Sequence, residues 1–184
     1  VFVQVLLPTS SKEYINNNTR FQHKIVYDGT KYISVILSLI IFIIIMNAKS
    51  LLIIYVGKEF SHLSNWLIIW CITILLYLHN SPVASMVLAS GKTKPLVYSS
   101  ATGCAVSIIT TIILAPKLNI GGAIFGYLFY IIIQMSFYYL YYIPKILNLN
   151  SMKIFFDSFL SPVIAGVITL IITNYIMSYI FISS

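Results

Sequence analysis

An all-α, polytopic membrane bundle is the fold class that this chain predicts, and three observations predict it. Five apolar stretches are each long enough to cross a bilayer. Hydrophobic residues make up 59% of the 184 positions and charged residues only 8%, with a mean hydropathy of +0.95. The Lys and Arg residues gather in alternate connections between the stretches. A soluble domain of this composition would aggregate, whereas in lipid the helix satisfies every backbone group internally and a lone strand does not.

The elements follow in order. Val1–Pro8 reads as the last turns of an earlier span, so further membrane helices upstream, and one more downstream of Ser184, are expected. Residues 9–31 form the longest polar stretch and are predicted as a cytoplasmic amphipathic loop. Within it, Phe21 and Ile25 lie one turn apart beside Arg20 and Lys24, the pattern of a short helix on the inner leaflet, with Asn16–Thr19 supplying its N-cap. Contact with anionic headgroups and a solvated linker whose cations anchor topology both fit this segment.

A helix needs about 20 apolar residues to cross the hydrocarbon core, which places spans at Tyr32–Ala48, Trp66–Ala89, Leu96–Ala115, Ala123–Ile143 and Phe159–Ile182. The first stops early, because running on to Val56 would submerge Lys49 at a cost of about 2.5–3.5 kcal/mol at a helix centre. Leu51–Val56 is then an interfacial turn, ended by Gly57 in a left-handed conformation.

Eight of the eleven basic residues fall before the first span or in the Gly91–Pro95 and Pro144–Ser158 connections; only Lys49, Lys58 and Lys117 fall in the others. Cytoplasmic connections are the ones that carry excess Lys and Arg, so the first set is predicted to face the cytoplasm. Topology thereby accounts for most of the +7 net charge, and a nucleic-acid partner is not indicated.

Several pieces match a known family in order and spacing. They are Leu6–Ser10, Lys31–Tyr32 opening a span, Leu52–Phe60, Leu88–Lys94, Leu114–Leu118 and Asn119–Ala123. Over residues 5–145 the chain resembles the C-terminal half of the polysaccharide (O-antigen type) flippases of the multidrug/oligosaccharidyl-lipid/polysaccharide exporter superfamily. The resemblance implies two helical bundles about a central cavity, with residues 32–143 as the four-helix core of the second bundle. Residues 144–158 would be a cytoplasmic loop and 159–184 an additional C-terminal helix. It further implies a multi-pass protein of the cytoplasmic membrane that flips polyprenyl-diphosphate-linked oligosaccharide for surface polysaccharide biosynthesis. The implied partners are the lipid-linked glycan, membrane lipids, a missing N-terminal half of the same transporter and other polysaccharide assembly proteins; no cofactor is implied.

The site candidates come from the spans themselves. Thr73, Tyr77, Asn80 and Ala84 share a helical face by 4-3-4 spacing, and His79 and Asn80 sit deep in an apolar segment just before Pro82. Pro82 cannot donate to the Leu78 carbonyl, so a hinge is predicted there. The polar residues fit either a cavity lining or interhelical hydrogen bonding. Along the fourth span Tyr127, Tyr130, Gln134, Tyr138 and Tyr141 share a face; Tyr138 and Tyr141 belong to the interfacial aromatic belt, which leaves Tyr130 and Gln134 as cavity candidates. Gly103, in the stripe Ser99, Gly103, Ser107, Thr110, and the Gly122/Gly126 pair are packing positions. In the last span Pro162, Gly166, Thr169 and Thr173 line one packed side, with Asn174 polar beyond it.

No enzyme is predicted. Glu13, Asp28, Glu59 and Asp157 are spread over separate connections, the three His residues follow no metal spacing, and Cys71 and Cys104 read as small apolar fillers. Two rivals to the flippase remain. A cation-coupled drug exporter of the same superfamily would be expected to carry membrane carboxylates, and none falls in the spans. A glycan polymerase or other non-transport membrane subunit should show a large outer loop, whereas the longest predicted here, about Lys49–Asn65, is short.

Overall fold

The computed structural model describes residues 2–16 and 18–183, without the side chains of residues 2–5, 170, 173, 174 and 176–183. The expectations placed on Val1, Asn17 and the Thr173 and Asn174 side chains lie outside the described residues. Among those described, the chain is helical with no strand, and five helices are long and apolar enough to cross a membrane: Thr19–Met46, Lys58–Ala89, Lys94–Leu118, Ile120–Ile146 and Ser151–Thr169. The protein is an all-α, multi-pass membrane bundle.

Helix α1 (Phe2–Ile15) runs through Pro8 and hands over to α2 (Thr19–Met46) at Asn18. The Asn18 side chain accepts from the Phe21 N–H at 3.2 Å and donates to Glu13 Oε2 at 2.7 Å. The cap thus lies inside the predicted Asn16–Thr19 segment, but the helix it starts is not short. It passes Lys31 without a break, so residues 9–31 are not a loop. The reason is one stripe of buried residues, Val26, Thr30, Ile33, Ser34, Leu37, Ser38 and Ile41, that continues at helical period across the expected boundary. Arg20, Lys24 and Lys31 stay exposed outside it.

Asn47 breaks the chain before α3 (Ala48–Tyr55), its side-chain amide donating back to the Ile43 carbonyl at 2.9 Å. Gly57 then has φ +122° and ψ 158°, the extended mirror-image region rather than the left-handed helix expected, and glycine alone adopts it without strain. An added Cβ would meet nothing within 4 Å, so substitution would strain only the backbone. Gly57→Ala is expected to destabilise the fold by about 1–3 kcal/mol, read as an earlier unfolding midpoint in detergent; an unchanged midpoint contradicts this.

After a 3₁₀ turn at Lys58–Leu63, α4 (Ser64–Leu78) and α5 (Ser81–Ala89) form one span interrupted at His79–Asn80. Pro82 lies in the first turn of α5, and the Leu78 carbonyl that it leaves free is taken by Ser81 Oγ at 2.6 Å. Helices α6 (Lys94–Leu118) and α7 (Ile120–Phe137) form a hairpin about Asn119, whose φ is +51°.

Helix α7 continues as wider π-helical turns over Tyr138–Ile146. Pro144 cannot donate to a carbonyl four residues back, and the i→i+5 pattern, with the Leu147 N–H on the Tyr142 carbonyl at 3.1 Å, accommodates it. Helix resumes at α8 (Ser151–Lys153), runs through π-helical turns at Ile154–Leu160 ahead of Pro162, and ends as α9 (Ser161–Ser183). The loop expected over 144–158 therefore shrinks to residues 147–150.

Two clusters hold the bundle. Ile33, Leu37 and Ile41 of α2 meet Cys71 and Leu75 of α4 and Phe159. Val26, Val83, Met86 and Val87 meet Tyr142, Ile143 and Ile154. Tyr27 OH accepts from the Asn150 N–H at 3.3 Å, and Lys153 Nζ stands 5.6 Å over the Tyr27 ring, so the start of α2 and the 147–150 break share one end. Gly91–Pro95 adjoins Tyr141–Ile146 at a common pocket.

Candidate functional site

Where α4 breaks, its last turn and the first residue of α5 face α6 and α7 across a cavity of about 190 Å³. Asn80 and Ser81 enter from the break, Tyr77 from the turn before it, Ser100 from α6, and Tyr130 and Gln134 from α7. Leu96, Ile131, Met135 and Tyr138 complete the wall. Polar groups from four helices thus converge inside an apolar span.

Gln134 is buried and tied to α6. Its Nε2 donates to Ser100 Oγ at 2.7 Å and to Tyr130 OH at 3.3 Å, while Ser99 Oγ donates to its Oε1 at 3.5 Å. Hydroxyls serve as donor or acceptor, so this amide finds partners in either orientation. Asn80 is different. It is 6% exposed, and its Oδ1 is buried with no hydrogen-bond partner among the described residues. A buried amide oxygen left unpaired costs about 1–3 kcal/mol; Thr30 Oγ1, Ser34 Oγ and Tyr142 OH are likewise unpaired among the described residues, but of these four side chains only Asn80 lines the cavity.

Of the six residues proposed for the cavity, Tyr77, Asn80, Tyr130 and Gln134 line it together, and Thr73 and His79 do not. Thr73 is wholly buried a full turn from Tyr77, its hydroxyl donating to the Ile69 carbonyl at 2.8 Å. The cavity begins only at Leu76, and a helical face extends along the axis beyond any one cavity. His79 turns the other way because adjacent residues of a helix point about 100° apart. Its Nε2 lies 3.0 Å from Tyr139 OH and its ring stacks on Phe159 at 4.0 Å, joining α4 to the C-terminal segment.

Ser81, Ser100 and Tyr138 belong to the cavity without having been singled out for it. Tyr138 follows Gln134 by four residues on the same stripe, so the periodicity that marks Gln134 marks it equally, although its position also suits an interfacial belt. Ser100 carries no signal of its own in the sequence.

A second groove, about 390 Å³, shares Tyr77 and Tyr130 with the cavity and adds Tyr127, Cys104, Ser107 and Ile108. Cys104 is exposed there, while Cys71 is core. The Tyr127 and Tyr130 rings stack at 5.9 Å with 15° between planes, and Trp70 lies 5.0 Å from Tyr127. Tyr77 and Tyr130 thus border both the polar cavity and a row of aromatic faces.

The packing glycines lie at helix contacts. A Cβ on Gly103 would sit 2.8 Å from the Tyr130 ring, one on Gly122 would meet the Ala115 backbone at 2.7 Å from its Cα, and one on Gly126 would be 2.7 Å from the Ser107 carbonyl oxygen. Among the described residues no three His, Cys, Asp or Glu side chains gather to hold a metal ion. No protein-family model, no curated protein and no solved structure matches the chain.

Proposed function

We propose that this chain is part of a membrane transporter that moves a polyprenyl-diphosphate-linked oligosaccharide between leaflets of the cytoplasmic membrane, with the base-rich end of the bundle facing the cytoplasm. The observation that carries the proposal is the convergence of Asn80, Gln134, Ser100, Tyr77 and Tyr130 on one cavity within apolar spans. Sugar hydroxyls entering hydrocarbon without partners cost several kcal/mol each, so a carrier must offer hydrogen-bonding groups and exclude lipid from them. Tyrosine faces suit the CH faces of sugars while amides and hydroxyls take the ring hydroxyls. The Trp70, Tyr127, Tyr130 row beside the cavity extends that kind of surface.

At about 190 Å³ the cavity is smaller than the roughly 300–1,000 Å³ of complete ligand pockets. It is one wall of a site, which the reading completes with a second bundle that rocks against this one, as in transporters built from repeats. The order of motifs shared with the polysaccharide flippases supports the same choice. No acid lines the cavity, which favours this reading over a carboxylate-coupled drug exporter.

Replacing Asn80 with Leu in the intact protein is expected to abolish surface glycan while leaving expression unchanged. Gln134→Leu is expected to reduce it and also to loosen α6. Normal glycan display at normal expression in both variants would refute the cavity.

A further inference from the structure

A second site lies at the end of the bundle away from Asn119. The α5–α6 connection and the last turns after α7 enclose a pocket of about 520 Å³, walled by Lys92, Lys94, Pro95, Tyr141, Lys145 and Ile146. Three lysines line it, and none of the four acidic residues of the chain, Glu13, Asp28, Glu59 and Asp157, does. From this structure we infer that the pocket binds the phosphate of an anionic lipid.

Charge topology explains why these connections contain lysines, but not why lysines from two connections share one pocket. The convergence is built. Gly91, at φ +69°, reverses the chain directly after α5; the Lys92 N–H donates to Ser90 Oγ at 3.2 Å and the Thr93 N–H to the Gly91 carbonyl at 3.0 Å. This tight turn places Lys92 and Lys94, both exposed, on the same pocket as Tyr141 and Lys145 of the α7 continuation. On the facing wall Lys145 Nζ stands 5.3 Å over the Tyr141 ring, which orients it. Three like charges held together repel, and a multivalent anion relieves the repulsion.

The ligand class follows from depth and wall chemistry. The pocket sits at the ends of membrane-crossing helices, where lipid headgroups lie, and Pro95, Tyr141 and Ile146 offer an apolar side for the first carbons of a lipid chain. Lysines act as point charges toward phosphate. The phosphodiester of a bulk anionic phospholipid and the diphosphate of a polyprenyl carrier share this chemistry, and the site stands whether or not the chain moves a glycan.

The test measures binding of phosphatidylglycerol, phosphatidylcholine and polyprenyl diphosphate to the purified full chain in detergent. Lys92→Gln/Lys94→Gln/Lys145→Gln is expected to weaken binding of the two anionic lipids by on the order of 100-fold, about 5-fold per lysine, with phosphatidylcholine unaffected. The corresponding Arg triple variant, which keeps the charge, should bind within about 5-fold of the original. A control variant with Lys12, Arg20 and Lys24 changed to Gln removes equal charge from the same end. Equal losses in the control and pocket variants would overturn the site in favour of diffuse surface charge, and unchanged binding in the Gln triple variant would overturn it outright. Tighter binding of the diphosphate than of phosphatidylglycerol would identify the carrier as occupant; equal binding would identify bulk lipid.

Discussion

Gly126→Leu is expected to pull α6 away from α7 and to lower resistance to unfolding in denaturing detergent by about 1–3 kcal/mol, the usual cost of forcing extra methylenes into a packed contact. A Cβ at this position already falls 2.7 Å from the Ser107 carbonyl oxygen and closer still to Thr111 Oγ1, so backbone must move and no rotamer relieves it. The consequence reaches beyond one residue. Helix α6 packs chiefly on α7, and of its own residues only Ser99 and Gly103 are buried. Little else retains it once the contact opens. The Gln134 bonds to Ser99 and Ser100 span the same seam and would lengthen, so the cavity wall should fail with the packing. Gly126→Ala should show a smaller loss, and a Leu variant as stable as the original would disprove the tight seam.

His79→Ala is expected to cost about 3–5 kcal/mol, as truncation of a buried ring does, and to free the C-terminal segment. The ring is wholly buried, stacked on Phe159 and hydrogen-bonded to Tyr139, so its removal leaves both a void and an unpaired hydroxyl where α4 meets the chain after α7. Limited proteolysis within residues 147–150 should accelerate, because those residues alone separate the α7 continuation from α8. His79→Phe keeps the stacking and loses the hydrogen bond, for about 1–3 kcal/mol. In the intact protein the Phe variant should still display glycan where Asn80→Leu does not. Loss of display in a stably folded Phe variant would return His79 to the transport pathway.

The contrast between His79 and Asn80 marks where sequence reading stops. Both are polar residues in an apolar helix ahead of a proline, and helical spacing separates their faces without saying what either face meets. Their neighbours do: Asn80 faces α6 and α7 across empty space, and His79 faces Phe159, eighty positions along the chain. The loops expected at 9–31 and 144–158 failed for a related reason. Polar residues there occupy the exposed face of helices whose buried stripe runs on, through Val26 and Thr30 on one side and Ile143 and Ile154 on the other.

Medium, helix content and the grouping of basic connections were all legible in the linear chain. Span length, backbone hydrogen bonding in lipid and charge asymmetry act within a segment or between adjacent ones, so they leave a local trace. So did the break ahead of Pro82, which depends on one missing N–H. Which amide meets a cavity, which ring bolts two helices together, and whether lysines from separate connections share a pocket were decided only by tertiary packing. These depend on the rotation of each helix about its own axis, and that angle is set by the partner across the contact.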